Sequence, residues 1–227
     1  MLAVFGVASL AVINLLAFDV PALQDIEQVD LSVLSGKVIA VDPGHGGIDS
    51  GARHNGLEEK DINLALALKL GEILRDSGAT VVLTRDSDMD FYARGKGGKR
   101  SDLEKRVDII NSSGADLFVS VHVNAIAGAR WFGAEVYYSQ RLAENRKLAE
   151  ATQAALRFFP PGNKRKAKQD SDILVLKETN VPGMLIEAGF LSNPREAALL
   201  ADADYQQNLA RHIAKALAYH FTYNVAR

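Results

Sequence analysis

A short aliphatic run, Val38, Ile39, Ala40 and Val41, lies between Lys37 and Asp42 and ends in a glycine-rich stretch, which predicts a β-strand over 37–42. Behind it, Ile62, Leu66, Leu70 and Leu74 recur at every fourth position, with Asp61, Lys69, Glu72 and Arg75 elsewhere. That spacing is the apolar stripe of an α-helix, and Gly78 is its stop signal. Thr80 to Thr84 predicts a second strand, Asp102 to Ser112 a helix and Leu117 to Val123 a third strand, the βαβ rhythm of a parallel sheet. Glu135 to Tyr138 adds a strand, Leu142 to Phe158 a helix and Gly183 to Ile186 a strand, and Leu209, Ile213, Leu217 and Phe221 mark a closing helix. The pattern predicts one α/β domain of three layers over 37–227, a mostly parallel twisted sheet flanked by helices. Two stretches break it, Phe91 to Arg100 and Pro160 to Asp172, both rich in basic residues and expected to be mobile, solvated loops.

Ahead of the domain, Met1 to Phe18 is apolar, with no charge and a single Asn, at the lower limit of what can span a bilayer. It lacks the basic n-region and small-x-small cleavage site of a removable signal peptide. The expectation is an uncleaved membrane anchor followed by an acidic tether, residues 19–36, holding the domain outside the cytoplasm. The remaining composition mostly excludes. A chain of 227 residues with formal net charge −2 and 24% charged residues has neither the basic footprint of a nucleic-acid binder nor a disordered composition. There is no cysteine, so a bound metal must be held by His, Asp or Glu.

Four residues at element ends are candidates for chemistry. His45 sits in Asp42-Pro43-Gly44-His45-Gly46-Gly47, where the first strand ends and glycines let backbone approach a ligand. Glu58 and Glu59 compete at the mouth of the first helix, where an acid can serve as a cap or a ligand. His122 lies within Ser120-Val121-His122-Val123-Asn124, in a strand so apolar that the imidazole must be paired or ligated. Glu187 follows Met184-Leu185-Ile186, a costly place for a carboxylate unless it faces a site. Two His and one Glu match a catalytic zinc set with one position open to water, and a further Glu supplies a base. His54, His212 and His220 read as surface or capping residues. Ser120 and His122, two apart on one strand, lack the nucleophile elbow of a serine hydrolase.

At these residues the chain resembles the amidase_3 family of N-acetylmuramoyl-L-alanine amidases, over about Ser35 to Tyr223. The likeness is carried by Val41-Asp42-Pro43-Gly44-His45-Gly46-Gly47, Leu57-Glu58-Glu59-Lys60-Asp61, Ser120-Val121-His122-Val123-Asn124-Ala125 and Ile186-Glu187-Ala188-Gly189-Phe190-Leu191-Ser192-Asn193. It implies Zn2+ on His45, Glu59 and His122, with Glu59 rather than Glu58 as ligand, and Glu187 as the catalytic acid/base. Arg85, in Leu83-Thr84-Arg85, and Asn124 fall on further family positions and are candidates to bind substrate, although Arg85 could equally be a structural ion pair. Within the family the chain is similar to a spore-cortex branch. That implies action on cortex peptidoglycan for muramic δ-lactam formation, in sporulation and germination, with room for an activating protein partner. A non-catalytic peptidoglycan-binding homologue and a zinc hydrolase of another wall amide remain open alternatives.

Overall fold

The computed structural model describes residues 26–92 and 98–223. The expected anchor, Met1 to Phe18, lies outside them, as does the start of the expected tether. Among the described residues no helix is long and apolar enough to cross a membrane. From Ile26 onward the expected tether is folded onto the domain: Ile26 packs with Ala154, Ala155 and Ala216. Asp30 caps a short 3-10 turn, Leu31–Leu34, by accepting from the Ser32 N–H at 2.9 Å, and Leu34 is buried.

The main elements are β1 (Val38–Pro43), α1 (Glu59–Asp76), β4 (Thr80–Leu83), α2 (Gly98–Ser112), β5 (Leu117–Asn124), β6 (Glu135–Tyr138), α3 (Ala143–Ala155), β8 (Gly183–Phe190) and α6 (Ala203–Tyr223). Smaller ones are a hairpin of β2 (Arg53–His54) and β3 (Leu57–Glu58), then β7 (Lys168–Gln169), α4 (Leu174–Glu178) and α5 (Pro194–Leu200). The sheet runs β4-β1-β5-β8-β6-β7. Every pairing is parallel except β6 with β8. The expected α/β architecture with a mostly parallel sheet is what forms.

Alternation along the central strands supplies two faces. Ile39, Val41, Val119, Val121 and Ile186 point to one face and pack against Leu66, Leu70 and Leu74 of α1 and Leu209, Ile213 and Leu217 of α6. Full burial of each such side chain contributes roughly 1.5–3 kcal/mol. Ala40, Phe118 and Leu185 point to the other, covered by Val107 and Ile110 of α2 and Val175 and Leu176 of α4. This second cover is short. It leaves Ser120, His122, Glu187 and Glu135, further along the same face, to build a site.

Three expectations change. Of the loop expected over Phe91 to Arg100, residues 93–97 lie outside the described residues and Gly98 to Arg100 open α2. The strand expected to end at Ile186 runs on to Phe190, so Glu187 lies within it, and β8 carries one extra residue opposite His122 to Asn124. Pro160 to Asp172 is not a plain solvated loop. Asn163 is buried and donates to the carbonyls of Ala134 and Leu156 at 2.8 and 2.9 Å, and β7 pairs with Tyr137 and Tyr138. Its basic side chains Arg165 and Lys168 both pair with the buried Glu135.

Candidate metal centre and catalytic carboxylate

The loop after β1 is folded against its neighbours without clearance. A Cβ on Gly44 would stand 2.2 Å from the His122 ring, so only glycine lets the two segments meet. His45 itself has φ +61°, a conformation that costs a side-chain-bearing residue of order 1–3 kcal/mol and persists only when its surroundings hold it.

Two buried arginines hold it. Arg106 Nη1 donates to the Pro43 carbonyl at 2.6 Å and to Asp42 Oδ1 at 2.9 Å, and its Nη2 donates to the His45 carbonyl at 2.6 Å. Arg85 donates to the carbonyls of Pro43 and Gly44, both at 2.9 Å, and of Lys60 at 2.8 Å. Asp42 is in turn bonded by Thr84 Oγ1 at 2.6 Å and Ser120 Oγ at 2.7 Å. Ser120 is therefore spent on Asp42, which agrees with its dismissal as a nucleophile.

Held this way, His45 Nε2 lies 3.1 Å and His122 Nδ1 3.0 Å from the same oxygen, Glu59 Oε1. The two rings meet edge to face with centroids 5.0 Å apart. Glu59 opens α1 as expected but points inward, accepting from the Ala52 N–H at 2.9 Å and the Val123 N–H at 3.2 Å. Burial works against its charge. The bonds and charges of His122 and His45 outweigh that and hold its carboxyl far below the ordinary carboxylate range. Asp49 Oδ2 accepts from His45 Nδ1 at 2.9 Å, the orienting bond that metal-ligating histidines commonly make. Partial burial opposes the Asp49 charge too, yet His45 and Lys99 keep its carboxyl down at about 2.

One ligand atom from each of His45, Glu59 and His122 lies within 4.8 Å of the others, so the three could hold a metal ion. The donor set fits one: two imidazole nitrogens and a carboxylate oxygen, with no fourth protein ligand needed in an open catalytic site. Glu58, the competitor, pairs outward with Arg53 at 2.8 Å.

Glu187 stands directly opposite His122 on the neighbouring strand. With His45, His122 and Asp49 it lines a cavity of about 280 Å3. Its Oε2 is sealed from solvent and has no hydrogen-bond partner among the described residues. Burial pushes the carboxyl up to about 7. Such a group is placed to take up and release a proton near neutral pH.

The other candidates fall differently. Asn124 is half-buried, two residues beyond His122 on the same strand and so on its side of the sheet. Arg85 is 2% exposed and committed to backbone carbonyls, among them that of Ser87 at 3.0 Å. It shapes the loop from behind. His220 is buried, at 2% exposed, instead of lying on the surface, because it falls on the inner stripe of α6. Asp42, Asp49 and Arg106 complete the site's support; the first was visible within the motif, the other two only as ordinary charges.

The sequence profile of Amidase_3, N-acetylmuramoyl-L-alanine amidase, matches residues 39–219. The chain is similar to the germination-specific N-acetylmuramoyl-L-alanine amidase of Bacillus subtilis (strain 168), at 44% identity over 83% of this chain and 81% of that one. Among solved structures it is similar to the CwlD amidase from Clostridioides difficile in complex with the GerS lipoprotein. That match has a TM-score of 0.78 and 37% identity, and covers 82% of this chain and 99% of that one. An N-acetylmuramoyl-L-alanine amidase from Clostridium difficile 630 matches with a TM-score of 0.74 and 29% identity, over 83% of this chain and 98% of that one. With the profile spanning nearly all of the folded part and the relatives matched through most of their length, the chain belongs to the Amidase_3 family of N-acetylmuramoyl-L-alanine amidases and is a peptidoglycan amidase.

Proposed function

We propose that the chain is a zinc-dependent N-acetylmuramoyl-L-alanine amidase that cleaves cortex-type peptidoglycan outside the cytoplasmic membrane, for muramic δ-lactam formation. The observation that carries the reading is the meeting of His45, Glu59 and His122 within 4.8 Å, beside a buried Glu187 oxygen that has no partner among the described residues.

Zinc in a set of two histidines and a carboxylate supplies a Lewis acid for a carbonyl and lowers the pKa of water to about 7. The residues of this chain do the rest. Asp49 fixes the His45 tautomer, so that Nε2 faces the ligand position. Glu59 keeps its charge through the two imidazoles and two backbone N–H groups. Glu187 accepts a proton from the attacking water and returns it to the alanine nitrogen as the carbon–nitrogen bond breaks. A group in that role is worth roughly 10²–10⁴-fold in rate. Asn124, at the strand end beside the site, is placed to contact substrate. Retention of Glu187 argues against a binding protein without catalysis.

The cortex assignment is supported by the likeness to the germination-specific enzyme. An activating lipoprotein partner is supported by the complex in which the CwlD relative was solved. Anchoring through Met1 to Phe18 is supported by that segment's apolar sequence alone.

The test is digestion of purified sacculi by the zinc-loaded protein with and without chelator, followed by identification of the new chain ends. New L-alanine amino termini that vanish with chelator are expected. Cleavage elsewhere in the stem peptide, or cleavage indifferent to chelator, would overturn the reading.

A further inference from the structure

The polar row on the open face of the sheet does not stop at Glu187. His122 faces Glu187 on one side, and Glu135 of β6 faces Glu187 on the other, so the three stand abreast on adjacent strands. Glu135 is 2% exposed. Arg165 Nη1 lies 3.0 Å from its Oε2 and Lys168 Nζ 2.8 Å from its Oε1, and Tyr137 Oη donates to Oε2 at 2.9 Å. The cations roof the carboxylate. Two cations thus meet one paired carboxylate; Glu196, whose carboxyl burial raises to about 7, also feels Arg165. The Arg165 side chain is wedged, stacked 4.5 Å over the Phe190 ring with its Nε bonded to the Phe132 carbonyl at 2.7 Å. The Lys168 side chain is 55% exposed. A cationic surface thus begins one strand beyond the carboxylate assigned to the leaving nitrogen.

We propose that Arg165 and Lys168 form a subsite for a carboxylate on the peptide side of the scissile bond, at the residue next after the alanine. The assignment rests on the amidase reading above. Charge decides the side: N-acetylated sugars joined through an amide carry no anion at the bond, whereas an acidic stem peptide does. Reach decides the residue. Opposed Cβ atoms on neighbouring strands are about 4.5–5.5 Å apart, and one extended residue spans about 3.3–3.6 Å. A peptide leaving from Glu187 therefore arrives at the cations within one or two residues. Glu135 acts as the positioning residue, since its two oxygens fix both cations beside the site.

The experiment compares two soluble muramyl dipeptides that differ only in the residue after L-alanine, free D-glutamate or its D-isoglutamine amide. They are given to zinc-loaded wild type, Lys168→Gln and Arg165→Lys. Wild type is expected to favour the acid by about three- to fivefold in kcat/KM, through KM, the scale of one solvent-screened charge-assisted contact. Lys168→Gln is expected to remove most of that preference, by raising KM on the acid toward its value on the amide. Calorimetry with the dipeptides L-alanyl-D-glutamate and L-alanyl-D-isoglutamine should show the same loss of discrimination without turnover. Arg165→Lys keeps the charge and is expected to keep the preference. No preference in wild type, or an equal fall on both substrates in Lys168→Gln, would overturn the subsite while leaving the amidase standing. Failure of wild type to cleave either fragment while it also releases no L-alanine termini from sacculi would remove both.

Discussion

The two halves of the site are built in opposite ways. Around His45 nearly every polar group is answered: two buried arginines bind the loop carbonyls, Asp49 binds His45, and both Glu59 oxygens accept backbone N–H groups. One strand further along, Glu187 keeps a buried oxygen with no partner among the described residues. The first half resists movement, which suits ligands that must be held at fixed distances. The second holds a carboxyl that burial raises to about 7, a state that a satisfied carboxylate would not adopt.

The comparison breaks most completely if its rigid half is removed. His45→Ala and His122→Ala are each expected to lose bound zinc, from about one per chain toward none, and with it all measurable amidase activity. Elemental analysis beside a turnover assay reads both. Full zinc occupancy in both variants would sink the ligand assignment.

Glu187→Gln sharpens the contrast from the other side. It should lower kcat by about 10²–10⁴-fold while zinc content stays near that of wild type. Because Glu187 is destabilised as a charge by burial, the amide is expected to leave thermal stability unchanged or higher. Activity within about tenfold of wild type contradicts the base role, and loss of zinc would make Glu187 a ligand.

The two arginines separate support from recognition. Arg106→Met strands Asp42 and Asp102 without their buried cation and is expected to destabilise the fold by about 3–5 kcal/mol in urea unfolding. Arg85→Met removes bonds to backbone carbonyls only, and those of Pro43 and Gly44 keep Arg106 and Asn63 as donors, so the loss should be nearer 1–3 kcal/mol, with KM unchanged in the folded fraction. A raised KM at full stability would instead restore Arg85 to substrate binding.

These arginines also mark where sequence reading stops. The stripe of Ile62, Leu66, Leu70 and Leu74 was legible because a period of four repeats over several turns, and His45, His122 and Glu187 because polar groups in apolar or glycine-rich runs are conspicuous; Glu59 sits among charges beside Glu58, and only the family resemblance separated the two. Arg106 was not: it sits on a helix with charged neighbours, where a buried cation and a solvated one look alike. Lys168 and Gln169 are too few to show a strand's alternation, so Pro160 to Asp172 read as open loop. Its folding depends on Glu135, thirty residues before Arg165, a pairing no local window contains.

His220 offers the smallest effect and the cleanest sign. Burial on the inner stripe of α6 lowers its pKa to about 4, with Glu144 opposing and Lys147 reinforcing the shift. The unfolded chain takes up a proton near the ordinary histidine value of about 6.5, while the folded chain refuses it until about pH 4. Between those values the unfolded state binds more protons, so the residue's contribution to stability is full above pH 6.5 and is lost as the pH falls toward 4. Glu196 runs the other way. Its carboxyl is raised to about 7 by burial, against bonds from the Gly133 and Phe190 N–H groups, so its contribution is full in acid and is lost between about pH 4.5 and 7. The two slopes partly cancel in the native chain. His220→Gln removes one of them, so its stability relative to wild type, read from urea midpoints, should improve steadily from pH 6.5 down to pH 4. A difference that stays constant across that range would mean His220 titrates in the folded protein as it does in the unfolded one, and the buried stripe would need redrawing.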